Sequence, residues 1–278
     1  MTTSAGTIAP ATSQPSVPSS GTTVLNVVRS EWTKLWSVRS TRWTLLATFV
    51  VSVGFTTLFA WGQTANWSQI DAQERANFDA TANSLGGLYF GQLAIAVLGA
   101  LVITAEYSTG GIRTTLTAVP QRLRVLLAKG LTFGVVALVV GVATSFAAFS
   151  IGQAFFATKG VEAHLGDPGV LRAVIGGGLY ILGCGMLGFA VGSLLRHSAG
   201  AITTAVGLLF VLPLLSNLLP GDWGRTIREY FFSNAGGQIT TVRQDPNLLA
   251  PWNGYLVFTL EWLVILIAGA VLFERRDA

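Results

Sequence analysis

The sequence predicts an all-α polytopic membrane protein with six transmembrane helices and an N-terminal interfacial amphipathic helix, on three observations. Its 278 residues are 51% hydrophobic and only 11% charged, against roughly a quarter charged in soluble domains. The apolar residues gather into six runs close to the ~20 residues that cross about 30 Å of hydrocarbon as a helix, the conformation that satisfies its backbone internally. The basic residues lie in the connectors between runs. The net charge of +4 therefore reads as orientation in a bilayer, since a nucleic-acid binder clusters Lys and Arg on a folded polar face.

The elements follow in chain order. Residues 1–21 are rich in Ser, Thr, Pro, Ala and Gly and carry no charge, too little apolar surface to fold, and they lack the basic start and apolar core of a signal peptide. A disordered cytoplasmic tail is expected there. Residues 22–42 follow as an interfacial helix: Val24, Val28, Trp32 and Leu35 or Trp36 recur at helical spacing, with Arg29, Lys34 and Arg39 mostly off that stripe. Tryptophans dipping inward and basic groups near anionic lipid would hold it on the membrane surface. An N-terminal extension of the first span is the competing reading.

Residues 43–278 form the six-span transmembrane body. Its spans are expected at 43–61, 87–104, 131–157, 173–195, 199–219 and 252–273. Trp43 and Trp61 bracket the first, as aromatic rings at two headgroup zones do. The short Arg196, His197, Ser198 connector makes the fourth and fifth antiparallel neighbours. Six spans place both ends on one side. The connectors on that side hold eleven basic residues and four carboxylates, against six and eight on the other, so both termini are expected in the cytoplasm. Outside would lie the longer connectors, 66–83 and 221–251.

The connector AEYSTGGIRTTLTAVPQRLRVLLAKG, residues 105–130, is the longest internal one on the basic side. Gly110 and Gly111 permit a sharp turn, and IRTTLTAV makes two helical turns before Pro120 ends them. Ile112, Leu116 and Val119 would line one side of this rod, with Arg113 beside them, as a knob for a partner's groove. Arg122, Arg124 and Lys129 then reach back to the headgroups. A plain positive-inside anchor fits the spacing equally well.

Chemistry-bearing residues are sparse. Cys184, His164 and His197 stand alone, so neither a disulfide framework nor a metal site is expected, and no cofactor. No G-x-x-x-x-G-K-[ST] occurs, and Lys34, Lys129 and Lys159 lack the spacing that cradles phosphates. Gln92, Ser150, Gln153 and Asn217 either line a path or bond between helices. Gly188 and Gly192, with the run Gly176, Gly177, Gly178, point to close helix packing within the chain or across a dimer. Glu261, in FTLEWLV, is an intramembrane acid that must be protonated, paired or facing water. Arg172 and Arg225 are its candidate partners, and a substrate contact is the alternative.

SEWTKLWSVRSTRWTLL, the 105–130 segment and YFFSNAGGQI together resemble the membrane-spanning permease subunits of type 2 ATP-binding-cassette (ABC) transporters, of the actinobacterial sort. The likeness covers nearly everything after residue 22 and departs at YFFSN, where a proline is expected before the serine. It implies an exporter permease in the cell membrane that dimerises with a second copy or a sister permease and pairs with two copies of a separate ABC ATPase subunit. The ATPase stroke would fall on Glu106, Tyr107, Gly110, Gly111, Ile112, Arg113, Leu116, Pro120, Arg122 and Arg124, and on the interfacial helix with Glu31, Trp32, Lys34, Leu35, Trp36 and Arg39. The chain itself would be no enzyme, and its membrane partner is lipid, not nucleic acid. An ion-coupled secondary carrier and a non-transporting anchor or sensor subunit remain the alternatives.

Overall fold

Residues 24–111, 117, 121–245 and 248–275 are described by the computed structural model of the chain. The elements used below are α1 (Val24–Ser37), α2 (Arg39–Ala65), α3 (Leu88–Ser108), α4 (Arg122–Phe156), α5 (Val170–Leu195), α6 (Ser198–Val206), α7 (Gly221–Tyr230), α8 (Phe232–Gly237) and α9 (Pro251–Arg275). Among the described residues, six helical segments are long and apolar enough to cross a membrane: Arg39–Ala65, Ala80–Ser108, Arg122–Lys159, Val170–Leu195, Ser198–Ser216 and Pro251–Arg275. Each coincides with an expected run; most helices extend beyond it, because residues at the ends continue the backbone ladder, whereas the fifth stops at Ser216, short of the expected 219.

Val38 separates α1 from the first span. Its extended backbone (φ −83°, ψ 118°) interrupts the ladder, so Arg39, expected in the interfacial helix, opens α2 instead. A larger correction concerns 121–130. α4 starts at Arg122, which makes QRLRVLLAKG mostly the opening turns of the third spanning helix. Of the expected rod 112–119, all but residue 117 lies outside the described residues, as does Pro120. Gly110 does turn the chain at its root, with φ +70° and open space where a side chain would stand.

α5 is the axis of the bundle. Its apolar window is 83% buried, against 28%, 22% and 17% for the first, fifth and sixth spans. Glycine sets its approach to α3: a Cβ on Gly188 would stand 2.0 Å from the Ala96 carbonyl oxygen, and one on Gly192 2.8 Å from that of Ala100. The Gly188/Gly192 pair thus packs within the chain. In lipid, where tails compete equally for apolar surface, such close packing supplies much of helix association.

Polar groups in the spans bond either across to a neighbouring helix or back to a carbonyl of their own helix. The buried face of α2 carries Thr41, Thr48, Ser52, Thr56 and Thr64, and Thr56 Oγ1 donates to Ser84 O at 2.9 Å. Gln153 Nε2 donates to Ala80 O and Ser84 Oγ. Gln92 accepts from Tyr180 and donates to Leu209 O at 3.4 Å. The last bond has a sequence cause. Pro213 has no N–H to offer the carbonyl four residues back, and residues Gly207–Val211 relax into a π-helical turn that leaves Leu209 O for Gln92. Ser150 bonds its own helix at Phe146 O, and Asn217 does the same at Pro213 O.

Candidate functional site: the roots of the 105–130 connector

Four charged side chains meet where α1, the end of α3 and the start of α4 converge. Lys129 Nζ lies 2.5 Å from Glu31 Oε2 and 2.9 Å from Glu106 Oε1. Lys34 Nζ lies 2.7 Å from Glu31 Oε1 and 3.2 Å from Glu106 Oε1. The side chains of Glu31 and Lys129 are only 3% and 6% exposed. Two positive and two negative charges cancel, which is what makes their burial tolerable, since an unpaired ion in that position costs several kcal/mol.

The geometry follows from helical spacing. On α1, Val27, Glu31 and Leu35 recur every four residues, and all three are buried against the bundle. The tryptophans of the stripe expected to face lipid are not part of this packed face: Trp32 and Trp36 are exposed and touch each other, ring centroids 5.9 Å apart. Lys129 is corrected too. It is buried among partners from two other helices and does not reach the headgroups. No acid lies within four residues of it in LLAKGLTF, so its counter-ions had to come from elsewhere in the fold. Burial pulls the Lys34 ammonium down, yet the hydrogen bond and charge of Glu31, reinforced by Glu106, outweigh that and hold it above the ordinary lysine value. Beside the quartet is a cavity of about 190 Å³ lined by Val38, Leu98, Leu101 and Val102, and Glu106 Oε2 is buried without a hydrogen-bond partner among the described residues.

A second fastening sits one residue further on. Tyr107 packs under the guanidinium of Arg196, 5.1 Å from Cζ to the ring centroid, and Phe273 faces the same cation at 5.6 Å. Arg196 adopts a left-handed backbone (φ 59°) at the end of α5 and donates from Nη2 to Leu272 O at 2.8 Å. Arg122 Nη1 donates to Phe273 O at 3.4 Å. The connector's two roots are therefore each tied twice: Glu106 and Lys129 to α1, Tyr107 and Arg122 to the last turn of α9. Arg124 is exposed nearby. Of the residues singled out from sequence, Glu31, Lys34, Leu35, Glu106, Tyr107 and Arg122 come together here. Ile112, Arg113, Leu116 and Pro120 lie outside the described residues. Lys129 and Arg196 are the members that sequence reading missed.

Glu261 is elsewhere, half-buried in the middle of α9. Neither expected partner reaches it: Arg172 donates to Ile239 O and Thr241 O, and Arg225 pairs with Asp222. Its carboxylate faces the backbone amide of Phe232, while Oε2 has no partner among the described residues. Phe232 is the first residue of α8, after the extended Phe231. A proline expected at this spot would suit a first helical position, where the missing N–H is no loss. Phenylalanine instead supplies an N–H to the acid. At the same end of the bundle, a cavity of about 510 Å³ opens between Tyr89, Tyr180, Arg228, Glu229 and Asn234.

Comparison with known proteins agrees in one respect and is silent in another. The family model described as ABC-2 family transporter protein matches residues 25–278. No curated relative matches the chain.

Proposed function

Since the chain belongs to the ABC-2 transporter permease family, and is thus a multi-pass membrane subunit that works with an ABC ATPase, we propose that it exports a hydrophobic or amphiphilic solute across the cell membrane under force delivered through the 105–130 connector. The termini and this connector are cytoplasmic in this reading. Two copies of the ATPase subunit act on a permease dimer, formed with a second copy or a sister subunit. The observation that carries the coupling role is the Glu31–Lys34–Glu106–Lys129 quartet. It joins the surface helix and both flanks of the connector into one body, so a push on Ile112, Arg113 or Leu116 moves α1 and the second and third spans together. Alternating access follows if that motion parts the outward ends of the spans.

The solute class is supported by an aromatic cluster on the first, second and fifth spans. Phe55 stacks on Phe90 with centroids 4.0 Å apart, Phe59 and Phe210 flank that pair, and Tyr89 packs on Phe210 at 5.6 Å. Rings from three spans offer apolar faces with one phenol, a lining that suits an amphiphile better than a phosphorylated sugar. The test is Arg113→Glu combined with Ile112→Ala in the assembled transporter, reconstituted in vesicles. ATP hydrolysis should persist while solute movement is lost, with insertion unchanged. Normal coupling in that double variant would overturn the role of the connector.

A further inference from the structure

A crevice separates α4 from α9 over half the thickness of the bundle. It encloses about 590 Å³; Gly130 and Gly134 of α4 form part of its floor with Met186 and Phe189 of α5, and Trp262 and Ala270 belong to its α9 wall. The lining is apolar throughout. Along α4 it runs from Leu123 to Leu138, roughly 22 Å at 1.5 Å per residue, which exceeds by one or two turns the ~15 Å of a single leaflet's hydrocarbon. One end of the crevice therefore lies at headgroup level and the other near the bilayer midplane.

The headgroup end is basic. Arg122 and Arg124 open α4, and Arg275 ends α9 with Glu274 as its acidic neighbour. Arg122 also bridges to Phe273 O just beyond the crevice, so the mouth is held at fixed width. Gly134 has van der Waals space above it: a Cβ there would meet Met186 Sδ at 3.6 Å and Leu182 Cδ1 at 3.7 Å. A single acyl chain fits the length, the apolar lining and the one-leaflet depth, and the arginines at its mouth match an anionic headgroup. We infer that this crevice is a binding site for one anionic phospholipid of the leaflet at the α1 end of the bundle, its headgroup on Arg122, Arg124 and Arg275 and one acyl chain between α4 and α9.

Trp262 in the wall gives a direct readout. The full-length chain is reconstituted in phosphatidylcholine vesicles containing acyl-brominated phosphatidylglycerol or, separately, acyl-brominated phosphatidylcholine. The Trp262 contribution to quenching is the difference between the natural chain and Trp262→Phe. Half-maximal quenching should need roughly thirtyfold less brominated phosphatidylglycerol, the scale expected of two net positive charges at about 1 kcal/mol each at a membrane surface. Arg122→Gln with Arg124→Gln should shrink that preference, and Gly134→Leu, which fills the crevice, should remove Trp262 quenching by either lipid. Equal quenching by the two headgroups in the natural chain would overturn the proposal, whatever the variants do. Absence of quenching by both would also overturn it, and would place a protein surface in the crevice.

Discussion

Lys129 meets Glu31 across 98 residues of chain, Nζ to Oε2 at 2.5 Å, with both side chains almost fully withdrawn from solvent. One comes from the third span and the other from a helix that precedes the first. The contact fixes α1 against the bundle at the position where the connector begins and ends, and its energetics dictate how substitution should behave.

Removing one member leaves a buried charge uncompensated. Lys129→Met should destabilise the protein by about 3–5 kcal/mol, read as a lower midpoint of thermal unfolding in detergent, and should free α1 to proteolysis. The pair Glu31→Gln with Lys129→Met leaves Lys34 and Glu106 to neutralise each other, and should recover most of the loss. A double variant as unstable as the single would mean that packing, not charge balance, governs the site.

The Lys34 ammonium adds a pH dependence with a definite sign. Its folded value is held above the ordinary lysine value by Glu31 and Glu106, so its contribution to α1 docking is fully present below the unfolded value of ~10.4. It is lost as the pH climbs through the folded value. Trp32 and Trp36 fluorescence should therefore report α1 release only on the alkaline side of that window. Lys34→Gln should show no such alkaline step.

Close backbone contact between α3 and α5 predicts a steric sensitivity. Gly188→Val puts a branched side chain where even a Cβ would stand 2.0 Å from Ala96 O, and should cost at least the ~1–3 kcal/mol of an overpacked core. Steric trapping or detergent unfolding would measure it. Gly207→Val, at a position with open space around the added carbon, should cost less.

Glu261 distinguishes a force-driven permease from an ion-coupled carrier. Glu261→Gln keeps the shape and removes the titrating proton. Transport by the reconstituted complex should keep its dependence on ATP and lose none of its rate to changes in external pH. Loss of a proton-coupled component would instead assign the acid to energy coupling.

The six crossings and the extra helix before them were legible in the residues, because a bilayer imposes a one-dimensional rule of about 20 apolar residues per helix with charges between, and the family was legible in the motifs of the surface helix and the 105–130 connector. YFFSN also carried a readable signal, for its missing proline leaves the Phe232 N–H that faces Glu261. Periodicity on α1 picked out the Trp32 stripe but not the face that packs on the bundle, since Val24–Val28–Trp32 and Val27–Glu31–Leu35 are both helical stripes and only the neighbouring helices show which one they bury. Lys129 and Arg196 were legible as odd charges but not as members of a site. Their partners, Glu31 and Leu272, lie 98 and 76 residues away, and no local rule of spacing carries that distance. The tertiary structure decided which charges share a buried pocket, because desolvation makes each of them depend on counter-charges that only helix packing can bring within 3 Å or so.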